Sequence, residues 1–290
     1  MDNAVTTSIL ARCLLDAAFL EQMMQSPAAA LEGYALDEKT HTDFLTLDIK
    51  RIRNFAGFIT KVQHNYLWES FPYTRALLKY YKMEIEVFAA YLERHLQLRA
   101  EGVSRNQKIM SFMTFLSTYL ASRDSSMFPG VREMLAHELM EWAIRNQLIA
   151  TVPPQWQTPS VDLSMLGARQ FGKMVPLVCG ALRVGSFTYD PLQIISHLKQ
   201  GRFDPHTLSL HPRCLGYWGD SATQQLRILE LDDISALLLS HVDGHSSIRT
   251  IVGRVTKQGP NGIRVSRFRP FFEAAFKEKL LMVSPHQETR

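Results

Sequence analysis

The sequence predicts an α+β protein, a long N-terminal α-helical bundle followed by a small three-stranded antiparallel sheet packed on three helices. Three observations predict it. From about Ser8 to Ile149, glycine and proline are sparse and apolar residues recur at helical spacing. Residues 151–160, TVPPQWQTPS, then carry three prolines, which exclude a continuing helix. The last quarter, Thr207 to Val283, reads as short strands followed by three capped helical segments.

In the helical region, Asp37 is placed to cap a helix beginning near Glu38, and Ser104 one beginning near Arg105. Phe55, Phe58, Ile59 and Val62 recur at helical spacing, as do Ile85, Phe88, Ala89 and Leu92. Met110, Phe112, Met113, Phe115, Leu116, Tyr119 and Leu120 form a thickly apolar segment, expected to be a buried central helix. Phe128-Pro129-Gly130 is a turn before a further helix, Val131 to Asn146.

Beyond the prolines the texture changes. Met174 to Val184 is expected as an irregular strand leading on to Ser186-Phe187-Thr188-Tyr189. Asp190-Pro191 starts a short helix with Leu192, Ile195 and Leu198 on one face, stopped by Gly201. Thr207 to Leu210 alternates as a half-buried strand, and Cys214–Trp218 pairs with Gln225–Leu231 as a hairpin around Gly219-Asp220-Ser221. Within the second hairpin strand, Leu226 and Ile228 share one face while Leu229 and Leu231 take the other, so it is either apolar on both sides or bulged. Asp232 or Asp233 caps the first helix, whose stripe is Ile234, Leu237, Leu238 and Val242, ended by Gly244. Ser246 or Ser247 caps the second, with Ile248, Ile251, Val252 and Val255 inward. Gly259-Pro260-Asn261-Gly262 breaks it. Ser266 caps the third, where Pro270 is tolerated early and Phe268, Phe272, Ala275 and Phe276 supply the buried face. The expected division is a helical domain 1–150, a proline-containing connector 151–204 with a short strand and helix, and a winged-helix-like domain 205–290.

Composition narrows the function. With 290 residues, 46% of them hydrophobic, each region has enough apolar side chain to bury a core. No run of about 18 apolar residues exists, so no membrane span is expected. The first nineteen residues are no convincing secretory signal: they lack a basic start, and Arg12 and Asp16 interrupt the apolar run. Three scattered cysteines, Cys13, Cys179 and Cys214, form neither a disulfide framework nor a metal knuckle, which fits a cytoplasmic protein. A net charge of +4 permits acidic partners without demanding nucleic acid.

Catalytic motifs are scarce. His137-Glu138-Leu139-Met140-Glu141 starts like a zinc-protease helix, but the position of the second ligand is Glu141 and no third ligand is evident; a packed or surface helix is the expectation. No GxSxG elbow, phosphate-binding glycine loop or dinucleotide fingerprint occurs. Arg264, Arg267 and Arg269 cluster beside Phe268, Phe271 and Phe272 at a helix start, where cations oppose the helix dipole. The cluster reads either as a solvated basic start over a phenylalanine core or as a cationic wall beside a groove for an acidic amphipathic peptide.

The run ILELDDISALLLSHVDGHSSIRTIV, with Leu229-Glu230-Leu231, Val242-Asp243-Gly244 and Ser246 to Val255, resembles the PqqD-like recognition element of peptide natural-product (RiPP) biosynthesis. In the helical region, Ser70-Phe71-Pro72-Tyr73-Thr74-Arg75-Ala76-Leu77-Leu78, Tyr91 to His95 and Glu141-Trp142-Ala143 resemble the partner proteins of multinuclear non-haem iron-dependent oxidases, in particular their TglI-like branch from the 3-thiaglutamate pathway. The resemblance implies a non-catalytic accessory subunit without a cofactor of its own. It would bind the leader of a precursor or carrier peptide and present that peptide's C-terminal cysteine to the oxidase, its heterodimeric partner, which holds the iron. The peptide would add antiparallel to Gln225, Leu226, Arg227, Ile228 and Leu229, flanked by Arg264, Arg267, Phe268 and Phe271, with Phe268 or Phe271 alternatively in the core. The helical region would dock the oxidase, and no nucleic acid or membrane partner is implied.

Two rivals remain. One is a winged-helix DNA-binding transcriptional regulator with a helical sensor domain, for which the helix Ser247–Lys257 offers Arg249, Arg254, Lys257 and His245. The other is an enzyme whose site carries no familiar motif.

Overall fold

The computed structural model describes residues 3–150, 166–258 and 268–283. The proline-rich break at 151–160, the turn at 259–262, the Ser266 cap, and Arg264 and Arg267 lie outside the described residues. The chain is α+β and divides into two compact units, Met1–Leu135 and Ala136–Arg290.

The first unit is helical: α1 (Asn3–Leu15), α2 (Ala17–Gln25), α3 (Pro27–Leu31), α4 (Glu38–Leu45), α5 (Ile49–Gln63), α6 (Leu67–Ser70), α7 (Pro72–Tyr80), α8 (Glu84–Ala100) and α9 (Arg105–Ala121). The unit boundary falls within α10 (Val131–Ala150). The expected caps form. Asp37 accepts from the Thr40 amide at 2.7 Å, and Ser104 closes a capping box with Gln107. Phe88 and Phe112 stack at 4.8 Å, with Trp68 edge-on to both, and each buried ring contributes about 1.5–3 kcal/mol. Of the α9 segment, Phe112, Met113, Leu116 and Leu120 are buried, whereas Met110 is 43% exposed.

Helices α5 and α8 touch backbone to backbone at Gly57, where a Cβ would stand 2.7 Å from the Ile85 carbonyl and 2.8 Å from the Ala89 nitrogen. That face of α5 buries Ala56, Gly57 and Thr60. Most of the stripe that marks this helix in the sequence, Phe55, Phe58 and Val62, lies on the other side, in solvent. Buried charge is matched: the Glu84 carboxylate receives Lys61 Nζ at 2.8 Å and Arg75 Nε at 2.9 Å.

The second unit continues with α11 (Ala168–Phe171), β1 (Pro176–Val178), β2 (Ala181–Phe187), α12 (Pro191–Lys199), β3 (Arg213–Asp220), β4 (Gln225–Leu231), α13 (Asp233–Ser240), α14 (Ile248–Gln258), α15 (Phe268–Lys277) and β5 (Leu281–Val283). One antiparallel sheet has the order β2-β3-β4, and β1 pairs with β5 in a second. The hairpin β3–β4 forms, but Gly219 and Asp220, expected in its turn, pair inside it and the chain turns at 221–224; its third strand is β2 rather than Thr207–Leu210. There, Asp204 accepts from the His206 amide and holds Pro205–Thr207 in a tight 3-10 turn, and Leu210 is 70% exposed. The sheet therefore draws on residues before position 205, and the boundary expected there falls inside a compact unit.

The register is continuous, with Tyr217 opposite both Arg183 and Ile228. One sheet face, with Ala181, Phe187, Leu215, Tyr217, Leu226 and Ile228, packs on Ile144 and Leu148 of α10. Here Gly219 allows close approach, since a Cβ would meet Ile144 at 2.7 Å. The other face sends Trp218, Leu182, Val184, Leu229 and Leu231 into a core shared with α13, α14 and α15. Strand β4 is thus apolar on both sides and not bulged, because the sheet is covered on both faces. Asp232 is the residue that caps α13, accepting from the Ser235 amide at 2.6 Å, and Ser247 contacts the Thr250 amide at 3.3 Å at the start of α14. In α12 the buried residues are Pro191 and Ile194, whereas Leu192 is exposed. No helix among the described residues is long and apolar enough to cross a membrane.

Candidate functional site

Strand β4 is the outermost strand of its sheet: β3 pairs with one side, and no described strand pairs with the other. Such an edge carries backbone donors and acceptors able to template a further strand. Its side chains have separate assignments. Leu226 and Ile228 are half-buried on the α10 side, and Leu229 on the side of the three helices. Gln225 and Arg227 are exposed, and the Arg227 guanidinium lies 5.4 Å from the Trp218 ring centre. The indole beneath is fixed by its own hydrogen bond to the Cys179 carbonyl at 2.7 Å. A cation over a fixed aromatic face gives that side of the sheet a charge.

The helix expected beside this strand is described from Phe268 onward. Phe268 is 2% exposed and belongs to the core, the second of the two places the sequence left open for it. Phe271 is half-buried, its ring edge-on to Phe272 at 5.3 Å, and packs against the same core as Leu229. Arg269 pairs with Glu273 at 2.7 Å and lies over the Phe171 ring at 4.9 Å, so part of its charge is engaged. Arg264 and Arg267 are not among the described residues.

Sequence reasoning missed the polar structure at the C-terminal end of β4. Arg213, in β3, reaches Glu230 at 2.8 Å and the nearly buried Asp190 at 3.1 Å. The Asp190 contact is ionic, because the Arg213 Nε hydrogen finds no aligned acceptor. Asp190 also caps α12, accepting from the Leu192 amide at 2.9 Å. His211, Arg213, Cys214, Glu230, Asp232 and Asp233 line a recess of about 240 Å³ there. Cys214 Sγ stands 3.4 Å from Ser186 Oγ and 3.6 Å from Asp233 Oδ1. Asp190 and Arg213 are 23 positions apart in sequence, and nothing in the local pattern pairs them.

Two further polar clusters are internal. His137, on α10, is 1% exposed; its Nδ1 lies 2.6 Å from Tyr217 Oη and its Nε2 3.4 Å from Glu141 Oε1. The pair of helix positions that suggested a metal is thus spent on a tyrosine and on itself, as a packed helix would have it. In the first unit, His64 and His95 hydrogen-bond to one another, and burial pushes the His64 imidazole down to about 4. Burial pushes the Cys13 thiol up, and the Cys179 thiol up to about 11, so both stay protonated at neutral pH. Among the described residues no group of three or more His, Cys, Asp or Glu side chains could hold a metal ion. Of the α14 cations weighed for DNA contact, Arg254 lies 3.6 Å from Asp243. No protein-family model matches the chain, and no curated protein matches it significantly.

Proposed function

We propose that this chain is a non-catalytic accessory subunit that captures the leader of a ribosomally made precursor peptide along β4. In this reading the second unit is a winged-helix-like recognition element of the PqqD type. The first unit docks a multinuclear iron-dependent oxidase, and the complex presents the peptide's C-terminal cysteine to the partner's iron, as in 3-thiaglutamate biosynthesis in the cytoplasm. The observation that carries the reading is the position of β4: an outermost strand among the described residues, anchored through both faces, with an edge that no described strand pairs and that can accept an added strand. Both faces being packed means that the edge is held rigid, so the strand loses little further conformational freedom on pairing. The resemblance of the ILELDDISALLLSHVDG run to recognition elements supplies the ligand class.

The test is a calorimetric titration of the full chain with the leader peptide, repeated with a leader N-methylated at alternate backbone nitrogens. Backbone pairing predicts binding of the first and loss of at least about tenfold in affinity for the second. Slowed amide exchange across residues 225–231 should accompany binding. Equal affinity for the methylated leader would remove strand addition, and absence of any binding would remove the function.

A further inference from the structure

Helix α5 presents an apolar seam to solvent. Phe55 is 54% exposed, Phe58 46% and Val62 57%, although the same helix is fixed to the unit's core through Ala56, Gly57 and Thr60. Exposed apolar residues occurring singly need no explanation, but three on one line of one helix do. Their spacing, three residues and then four, is the spacing of a seam that meets another helix. Phe55 to Val62 spans about 10 Å of helix axis, two turns.

The charge on this helix is one-signed. Its fifteen residues, IKRIRNFAGFITKVQ, contain Lys50, Arg51, Arg53 and Lys61 and no acid. Three of these cations stand within the first five residues, where the helix dipole disfavours them. Asp48, the residue before the helix, does not cap it; it turns aside to Arg51 at 3.2 Å in an exposed pair. Lys61 is spent on the buried Glu84, which leaves Arg51 in line with the seam, and Lys50 exposed beside it on the Gly57 side of the helix, as the charge at the start of α5. The start of α5 is therefore both uncapped by a side chain and electropositive.

We propose that the Phe55–Phe58–Val62 seam is a docking surface for an acidic amphipathic helix of a partner protein. Apolar residues of that helix would interleave with the two phenylalanines and Val62, and its carboxylates would face Lys50 and Arg51. A second copy of this chain is the poorer occupant, because a symmetric pairing would bring α5 against α5, an acid-free helix against itself. A lipid surface is also the poorer occupant. Arg51, one helical turn before Phe55 and on the same side, lies in line with the seam, whereas a membrane-lying helix keeps its apolar face free of charge. This proposal does not rest on the strand-addition reading of β4, and its failure would leave that reading untouched.

The test uses the full chain and two synthetic helical probes with leucine at the seam positions, one flanked by glutamate and its twin by lysine. Fluorescence anisotropy should show the glutamate probe binding and the lysine probe not. Phe55→Ala and Phe58→Ala should each weaken binding about tenfold, as expected for aromatic anchors at an interface, with an unchanged melting temperature because both side chains are solvent-exposed. Lys50→Glu with Arg51→Glu should weaken the glutamate probe and let the lysine probe bind. The proposal is overturned if alanine at both phenylalanines leaves the affinity unchanged, or if the two probes bind alike. It is equally overturned if sedimentation shows a dimer lost on removing Phe55 and Phe58, or if those residues drive binding to phosphatidylserine vesicles instead.

Discussion

The phenol of Tyr217, in β3, and the imidazole of His137, in α10, meet at 2.6 Å in a place neither shares with water. The Glu141 carboxylate one turn on can only accept, so Nε2–H is directed at it, and in the neutral imidazole Nδ1 then accepts from the Tyr217 hydroxyl. The imidazole, with Arg145 behind it, holds the Glu141 carboxyl below the usual carboxylate range, against a burial that pushes it up. Burial foremost, with the Glu141 charge, raises the Tyr217 phenol, which therefore stays protonated and stays a donor.

Tyr217→Phe should destabilise the chain by about 1–3 kcal/mol, because it strands a buried imidazole nitrogen. Adding His137→Leu to Tyr217→Phe should recover part of that loss, since two apolar groups leave nothing unsatisfied. Urea unfolding of the two single variants and the double variant measures the coupling. Additive losses would mean that the hydrogen bond contributes nothing.

Two helical glycines should respond to alanine with opposite signs. At Gly57 the added methyl meets backbone atoms of Ile85 and Ala89 that cannot turn away, so α5 and α8 must separate at a cost of about 1–3 kcal/mol. At Gly253, inside α14, nothing stands within 4 Å of the new Cβ, and the gain in helix propensity is about 0.5–1 kcal/mol. Thermal unfolding should therefore shift down for Gly57→Ala and up for Gly253→Ala.

The His64–His95 pair should make the chain sensitive to mild acid. Gln63 Oε1, 2.8 Å from His95 Nε2, can only accept, so His95 donates there and its Nδ1 accepts from His64 Nε2–H. His64 Nδ1, 3.0 Å from the Tyr66 hydroxyl, then accepts from it. Every donor has one acceptor when both rings are neutral. Burial, His95 and Lys108 lower the folded His64 pKa to about 4 from an ordinary 6.5, and burial and nearby cations lower His95. Between those two values the unfolded chain binds more protons than the folded one. The stability present above pH 6.5 is thus lost as pH falls towards 4, by about 2 kcal/mol between pH 7 and 5 for His64 alone. Urea unfolding at the two pH values should show that loss, and His64→Gln should shrink it.

Much of the fold is legible in the sequence where the signal is local. Asp37, Ser104 and Asp232 cap the helices they precede because a short polar side chain beside an amide is decided within four residues. The hairpin β3–β4 and the inward face of α14 follow for the same reason. Pairing over distance was not legible. Residues 207–210 alternate as well as 181–187, but only the latter find a partner in β3. On α5 the periodicity announced a helix correctly but not which side faces the core; Gly57, an unpromising residue in sequence, decides that by letting α8 approach. At the candidate site, β4 and its two-faced apolar pattern were readable, whereas the Asp190–Arg213–Glu230 chain at its end was not.

The pairing of β2 with β3 makes a strong prediction about where the second unit can be cut. β3 is covered on every side: Leu215 and Tyr217 face α10, Trp218 faces the three helices, and β2 and β4 flank it. A chain begun at residue 205 keeps the hairpin and α13 to α15 but loses β2, β1 and the α10 residues Ile144 and Leu148. Its β3 would then have an unpaired edge and an apolar face in water, and β5 would lose its only described partner, β1. An unpaired, apolar edge strand favours association over a stable fold. The 205–290 chain should give collapsed or aggregated material with poorly dispersed amide resonances. A chain begun at residue 136 retains the sheet and its α10 cover, and should give a dispersed spectrum and cooperative unfolding. A well-dispersed spectrum from the shorter chain would show that the hairpin and three helices suffice, and that β2 and α10 are additions to a self-standing recognition fold.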